Sequence, residues 1–168
     1  MSIYLLSQAF GAVAFLFALY GFINKDDKVL KLCIAASSIC VAAHLGLLEA
    51  WSGMIISLVA AARYIASSYT KNTWLMAFFM AIGVAYGAYI HTIWSDALPV
   101  LANILATFAI FNLSGIKLRA TLMVVGCFWI SYYTLNYSIV GAASECFYFG
   151  VNAYNVWKHK RRPVGYNI

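Results

Sequence analysis

GMIISLVAAARYIASSYTK, residues 53–71, is the stretch on which the fold turns. It reads as a membrane-crossing helix interrupted at one residue, Arg63, ten residues from Gly53 and eight from Lys71. A bilayer core asks for about 20 apolar residues in a helix. An Arg near its mid-depth costs from about 3 to more than 10 kcal/mol. Such a residue needs a partner, a wet cavity or both. The other ten of the chain's eleven Lys and Arg sit in short connections, at the edge of an apolar run, or in the carboxyl-terminal tail.

Composition agrees with that reading. Of 168 residues 64% are hydrophobic and 10% charged, far from an ordinary soluble domain. No alternation of short strands suggests a membrane β-barrel. The net charge of +6 is spread over loops and the tail, so it reads as an orientation signal and not as a nucleic-acid surface. Cys33, Cys40, Cys127 and Cys146 lie inside apolar runs and read as buried free thiols. The amino-terminal run has no Lys or Arg before Lys25, lacks the basic region of a signal peptide, and reads as a retained first span.

Working outward, seven spans fit: Ser2 to Ile23, Val29 to Leu48, Gly53 to Tyr69, Thr73 to Ile90, Ala97 to Leu113, Leu118 to Asn136 and Ser138 to Trp157. Lys25, Lys28 and Lys31 lie at the first junction, Lys71 at the third, Lys117 and Arg119 at the fifth, and Lys158, Lys160, Arg161 and Arg162 after the last. The other connections carry none. Seven spans therefore put all ten on one face, which the positive-inside rule makes cytoplasmic, with the amino terminus outside. Trp51, Trp74, Trp94 and Trp157 fall at span ends, as an interfacial belt requires.

A slide of 88 residues brings Asn24 onto Asn112, Leu30-Lys31 onto Leu118-Arg119, Leu47 onto Leu135 and Gly53 onto Gly141. Spans 1–3 and 5–7 become two copies of a three-helix unit. Span 4, the odd helix, leaves the copies parallel. The expected fold is thus an all-α membrane protein of seven transmembrane helices in a 3+1+3 plan. Its parts are a first bundle over 1–72, a linker helix over 73–96, a second bundle over 97–157 and a basic cytoplasmic tail over 158–168. Gly83-x-x-x-Gly87 in span 4 predicts close packing on a neighbouring bundle, with a homo-oligomer contact as the lesser alternative. Pro99 predicts a kink in span 5.

The chain also resembles a family. Gln8-Ala9-Phe10-Gly11, Phe22-Ile23-Asn24-Lys25-Asp26, His44, Ala61-Ala62-Arg63, Trp74-Leu75-Met76-Ala77, Leu98-Pro99-Val100, Trp129, Ser138-Ile139-Val140-Gly141, Glu145 and Asn152 occur in the same order as in the YgjV-type bacterial inner-membrane proteins. The resemblance implies an inner-membrane location and a fold similar to the SWEET and PQ-loop transporter group. The Pro-Gln pair that names the PQ-loop proteins is absent, so no sugar specificity carries over.

Polar residues inside spans mark candidate sites. Glu145, Tyr148, Asn152 and Asn155 share one face of span 7. The slide places Glu145, Asn152 and Asn155 on Ser57, Tyr64 and Ser67, beside Arg63. Span 2 contributes His44, span 5 Asn103 and Thr107, and span 6 Trp129. Arg63, Tyr64, His44, Asn103, Trp129, Glu145, Tyr148 and Asn152 are therefore the candidate solute-binding residues. Arg63 and Glu145 read equally well as a structural ion pair. Ser37, Ser57 and Thr107 read as local backbone bonders. No metal-spaced His/Cys set, phosphate loop, nucleophile elbow or paired carboxylates occurs within the spans, so neither an enzyme nor a cofactor is expected. Two functions fit: a carrier of a small polar or anionic solute, or a sensor or scaffold that binds a ligand without moving it.

Overall fold

The computed structural model describes residues 2–23, 26–89, 93–113 and 115–160. Lys25, Arg161 and Arg162, which entered the charge count, lie outside the described residues. Seven α-helices and one 3-10 turn account for the elements, with no strand among the described residues. They are α1 (Ile3–Ile23), α2 (Asp27–Leu47), α3 (Trp51–Ser67), α4 (Thr73–Tyr89), the 3-10 turn Trp94–Asp96, α5 (Ala97–Asn112), α6 (Gly115–Leu135) and α7 (Ile139–Lys160). Three stretches are long and apolar enough to cross a membrane: Ile3–Gly21, Trp94–Asn112 and Ile116–Leu135. Lys31–Leu47, Trp51–Ser67 and Thr73–Tyr89 are shorter apolar helices. Large apolar side chains such as Leu16, Phe17, Phe78 and Val84 face outward, as a lipid solvent allows.

Local chemistry sets the helix ends. Asp26 caps α2, its carboxylate accepting from the backbone N–H of Lys28 at 2.7 Å and of Val29 at 3.4 Å. The α2–α3 turn is a Schellman motif. Glu49 has φ 58°, its N–H donates to Gly46 O, and Ala50 N–H donates to Leu45 O at 2.9 Å. The α6–α7 turn repeats it 88 residues on: Tyr137 has φ 53° and Ser138 N–H donates to Tyr133 O at 2.9 Å. A left-handed residue other than Gly costs roughly 1–2 kcal/mol. Both turns place it two residues past a helix end. The bounds of α2 and α6 also coincide at the 88-residue offset, as do the starts of α3 and α7.

Packing follows the chain, α1 on α2 on α3 and α5 on α6 on α7. Helix α3 also meets α5, α1 meets α7, and α4 lies on α5. A Cβ on Gly83 would come within 2.8 Å of Asn103 Nδ2, and one on Gly87 within 2.8 Å of Val100. The Gly-x-x-x-Gly pair is therefore spent on α5 and lets the two helices close up.

Three expectations change. Cys127 and Cys146 are free thiols but exposed on the outer faces of α6 and α7, not buried. Pro99 is the third residue of α5, in the first turn where an N–H has no intrahelical partner. It starts the helix and breaks no bond. Helix α7 continues through Lys160, so the start of the expected tail is helical.

Candidate functional site

Arg63 lies between α3 and α5, only 3% exposed. Its Nη1 donates to Thr107 Oγ1 at 2.6 Å, to Asn103 O at 3.1 Å and to Asn103 Oδ1 at 3.2 Å. Thr107 Oγ1 in turn donates to Asn103 O at 2.6 Å, the local backbone bond expected of it. The guanidinium carbon stands 5.1 Å from the Tyr64 ring centroid, a cation–π distance. Every one of these acceptors is neutral. Arg63 Nε and Asn103 Nδ2 are buried without a hydrogen-bond partner among the described residues. Spacing explains the cluster: Asn103 and Thr107 are one helical turn apart on α5 and rise past the same point of α3.

Glu145 is elsewhere. It is half-buried on α7, with its Oε2 facing Gly126 of α6, where an added Cβ would stand 3.6 Å away. Among the described residues no ion pair joins it to Arg63. The paired reading fails because the polar face of α7 turns toward α1 and α6, whereas α3 turns its Arg toward α5. Tyr148 of that face stacks on Phe15 of α1, ring centroids 5.9 Å apart. Asn152 is buried, donates to Tyr148 O at 3.0 Å and accepts from Arg119 Nη1 at 3.4 Å. Trp129 stacks on Tyr133 at 5.5 Å and meets Tyr132 edge-on at 6.0 Å.

His44 belongs to a polar node at the end of the molecule where α2 finishes and α7 begins. Its Nδ1 lies 2.7 Å from the Ser7 carbonyl oxygen and its Nε2 2.5 Å from Ser138 Oγ. A carbonyl oxygen only accepts, so Nδ1 donates to it, and in the neutral ring Nε2 accepts from Ser138. Ser7 Oγ donates to His44 O at 3.0 Å. Ser7, His44 and Ser138 are each at most 1% exposed, so the imidazole is fully satisfied.

A second node stands at the position 88 residues on. Tyr132 of α6 reaches the start of α3: its hydroxyl accepts from Gly53 N at 2.9 Å and meets Ser52 Oγ at 2.8 Å. Ser52 Oγ donates to Asp96 Oδ1 at 2.6 Å. Gly53 is required there, because a Cβ would collide with the Tyr132 ring and stand 2.7 Å from Leu45. His44 of α2 thus reaches Ser138, the residue before α7, and Tyr132 of α6 reaches the first turn of α3. Gln8 Oε1, accepting from Val140 N at 3.1 Å, adds another crossing at this end.

At the opposite end the residues 88 apart bond α2 to α3 and α6 to α7. Lys31 Nζ donates to Ser67 O at 2.7 Å, and Arg119, 88 residues later, reaches Asn152. Helices α1–α3 and α5–α7 are therefore laced together at the end without described Lys or Arg.

The sequence-predicted residues fall into three groups instead of one. Arg63, Tyr64 and Asn103 share the α3–α5 interior. His44 and Trp129 lie near the laced end. Glu145, Tyr148 and Asn152 follow α7. Thr107 as an Arg63 ligand, Ser7, Ser138 and the Ser52–Asp96 link went unread, since small hydroxyl residues inside apolar runs usually bond their own backbone. Ser37 also departs from that expectation, donating across to Ala14 O of α1 at 2.8 Å.

A family model described as bacterial inner membrane protein (Imp-YgjV) matches residues 5–163. Among curated proteins, the chain is similar to "Inner membrane protein YgjV" of Escherichia coli strain K12. The two are 26% identical over 169 residues, covering 98% of this chain and 91% of that protein. No solved structure matches.

Proposed function

The chain belongs to the YgjV family of bacterial inner membrane proteins, and on that premise we propose that it carries a small polar or anionic solute across the inner membrane. All seven helices cross the bilayer in this reading, as two parallel three-helix units with α4 between them. The basic end faces the cytoplasm, and no catalysis or cofactor takes part. The observation that carries the reading is Arg63: a buried cation held by neutral acceptors alone, with its own Nε and the adjacent Asn103 Nδ2 still to be satisfied. A buried unpaired charge and orphaned donors each cost several kcal/mol in a lipid medium. An anionic solute relieves both at once. A carboxylate or phosphate takes Nε and Asn103 Nδ2 while Thr107 and the Asn103 carbonyl keep Nη1 in place.

The lacing of the halves at one end supports a carrier in particular. Alternating access needs two rigid units that separate at one mouth while closed at the other. The His44–Ser138 and Tyr132–Ser52 contacts close one mouth, and the Lys31–Ser67 and Arg119–Asn152 bonds leave the units free to part at the other. Glu145, Asn152 and Tyr148 line α7 on the way to that mouth.

Flux into sealed proteoliposomes tests the reading. Carboxylate and phosphate metabolites that raise the melting temperature of the purified protein are offered as labelled solutes. Uptake by the wild type that is lost in Arg63→Met supports the carrier. Binding with no flux for any ligand assigns the Arg63 cluster to a sensor or scaffold.

A further inference from the structure

A second charged feature lies at the basic end, apart from Arg63. The amino end of α2 and the turn after α3 enclose an open cleft of about 430 Å³, lined by Asp26, Lys28, Lys31, Tyr69 and Lys71 among others. Three of these residues are cations and one is an anion. The Asp26 carboxylate is engaged by the N–H groups of α2's first turn. Lys31 is engaged too, its ammonium resting on the Ser67 carbonyl at the end of α3, where the helix dipole favours a cation. Lys28 stands 4.6 Å from the centroid of the Tyr69 ring. Lys28 and Lys71 thus bring surplus positive charge to a concave surface.

The surface below the cleft is apolar. Tyr69 is 69% exposed, and one turn deeper on the same face Ile65 is 42% exposed. One turn deeper than Lys28, Leu32 is 37% exposed. A soluble anion has no use for that track, whereas a phospholipid presents a phosphate with acyl chains directly beneath it. The fold does not demand the cluster either. At the 88-residue offset Lys28 and Lys71 correspond to Ile116 and His159 in the second half.

We propose that this cleft binds the phosphate headgroup of an anionic phospholipid, with Lys28 and Lys71 as the charge contacts, Tyr69 at the interface, and Ile65 and Leu32 along the acyl chain. Basic pockets between membrane helices recognise anionic headgroups in this way, each Lys near the surface contributing about fivefold in affinity. The site is independent of whether the protein carries a solute.

Native mass spectrometry of the detergent-solubilised protein tests it, titrating dioleoylphosphatidylglycerol and dioleoylphosphatidylcholine. The wild type binds phosphatidylglycerol more tightly. K28Q/K71Q weakens that binding about 25-fold and leaves phosphatidylcholine unchanged. Both lysines are exposed and Lys31 is retained, so the Ser67 bond survives. K117Q, at the same end but outside the cleft, leaves phosphatidylglycerol binding as in the wild type. Equal affinity for the two lipids, or an equal loss in K117Q, overturns the proposal in favour of diffuse surface charge. Displacement of phosphatidylglycerol by millimolar inorganic phosphate overturns it in favour of a soluble anion.

Discussion

Thr107→Val isolates the bond that holds Arg63. Thr107 is fully buried, and valine keeps its branched shape while removing the hydroxyl. The change deletes the shortest of the three Arg63 bonds, 2.6 Å. Bonds to charged groups contribute about 1.5–3 kcal/mol, whereas interhelical bonds in membrane proteins average about 0.6 and reach about 1.7. The ranges meet near 1.5 kcal/mol. For a chain of this size that is about 3–6 °C in melting temperature. The assay is a thermal double-mutant cycle in detergent, read by tryptophan fluorescence, on wild type, T107V, R63M and the double variant. With Arg63 replaced, the hydroxyl has no cation to accept from. T107V then changes stability by a few tenths of a kcal/mol, leaving a coupling of about 1.5. An equal loss from T107V in both backgrounds refutes the claim that Thr107 holds the guanidinium.

Arg63→Leu and Glu145→Leu are expected to add within about 0.5 kcal/mol, because the two side chains share no partner; a rescue of one by the other restores the ion pair. Gly53→Ala drives a methyl into Tyr132 and Leu45 and is expected to lower stability by about 1–3 kcal/mol in thermal denaturation. Glu49→Gly relieves a left-handed non-glycine residue and is expected to stabilise by about 1 kcal/mol; a lower melting temperature would show that the Glu side chain holds the turn. A reporter fused after Lys160 is expected to read cytoplasmic and one inserted at Asp96 external, and a cytoplasmic signal at Asp96 removes the seven-span topology.

The elements themselves were legible in the sequence. The span ends read from hydropathy fall within a few residues of all seven helices, because a contiguous apolar run and a polar connection are local properties of the chain. The 88-residue offset was legible for the same reason, and it returns in the paired turns at Glu49 and Tyr137. Partner choice was not legible. Spacing along a helix tells which residues share a face, but not which way that face is turned. Neighbouring axes lie about 8–10 Å apart, so a rotation of one helix exchanges the partners within reach of a side chain. That is why Arg63 and Glu145, both plausible on a common polar lining, end against different helices. It is also why the links that His44 and Tyr132 make, to Ser138 and to the start of α3, could not be read from spacing. The helix end that each side chain confronts in the folded chain determined those contacts.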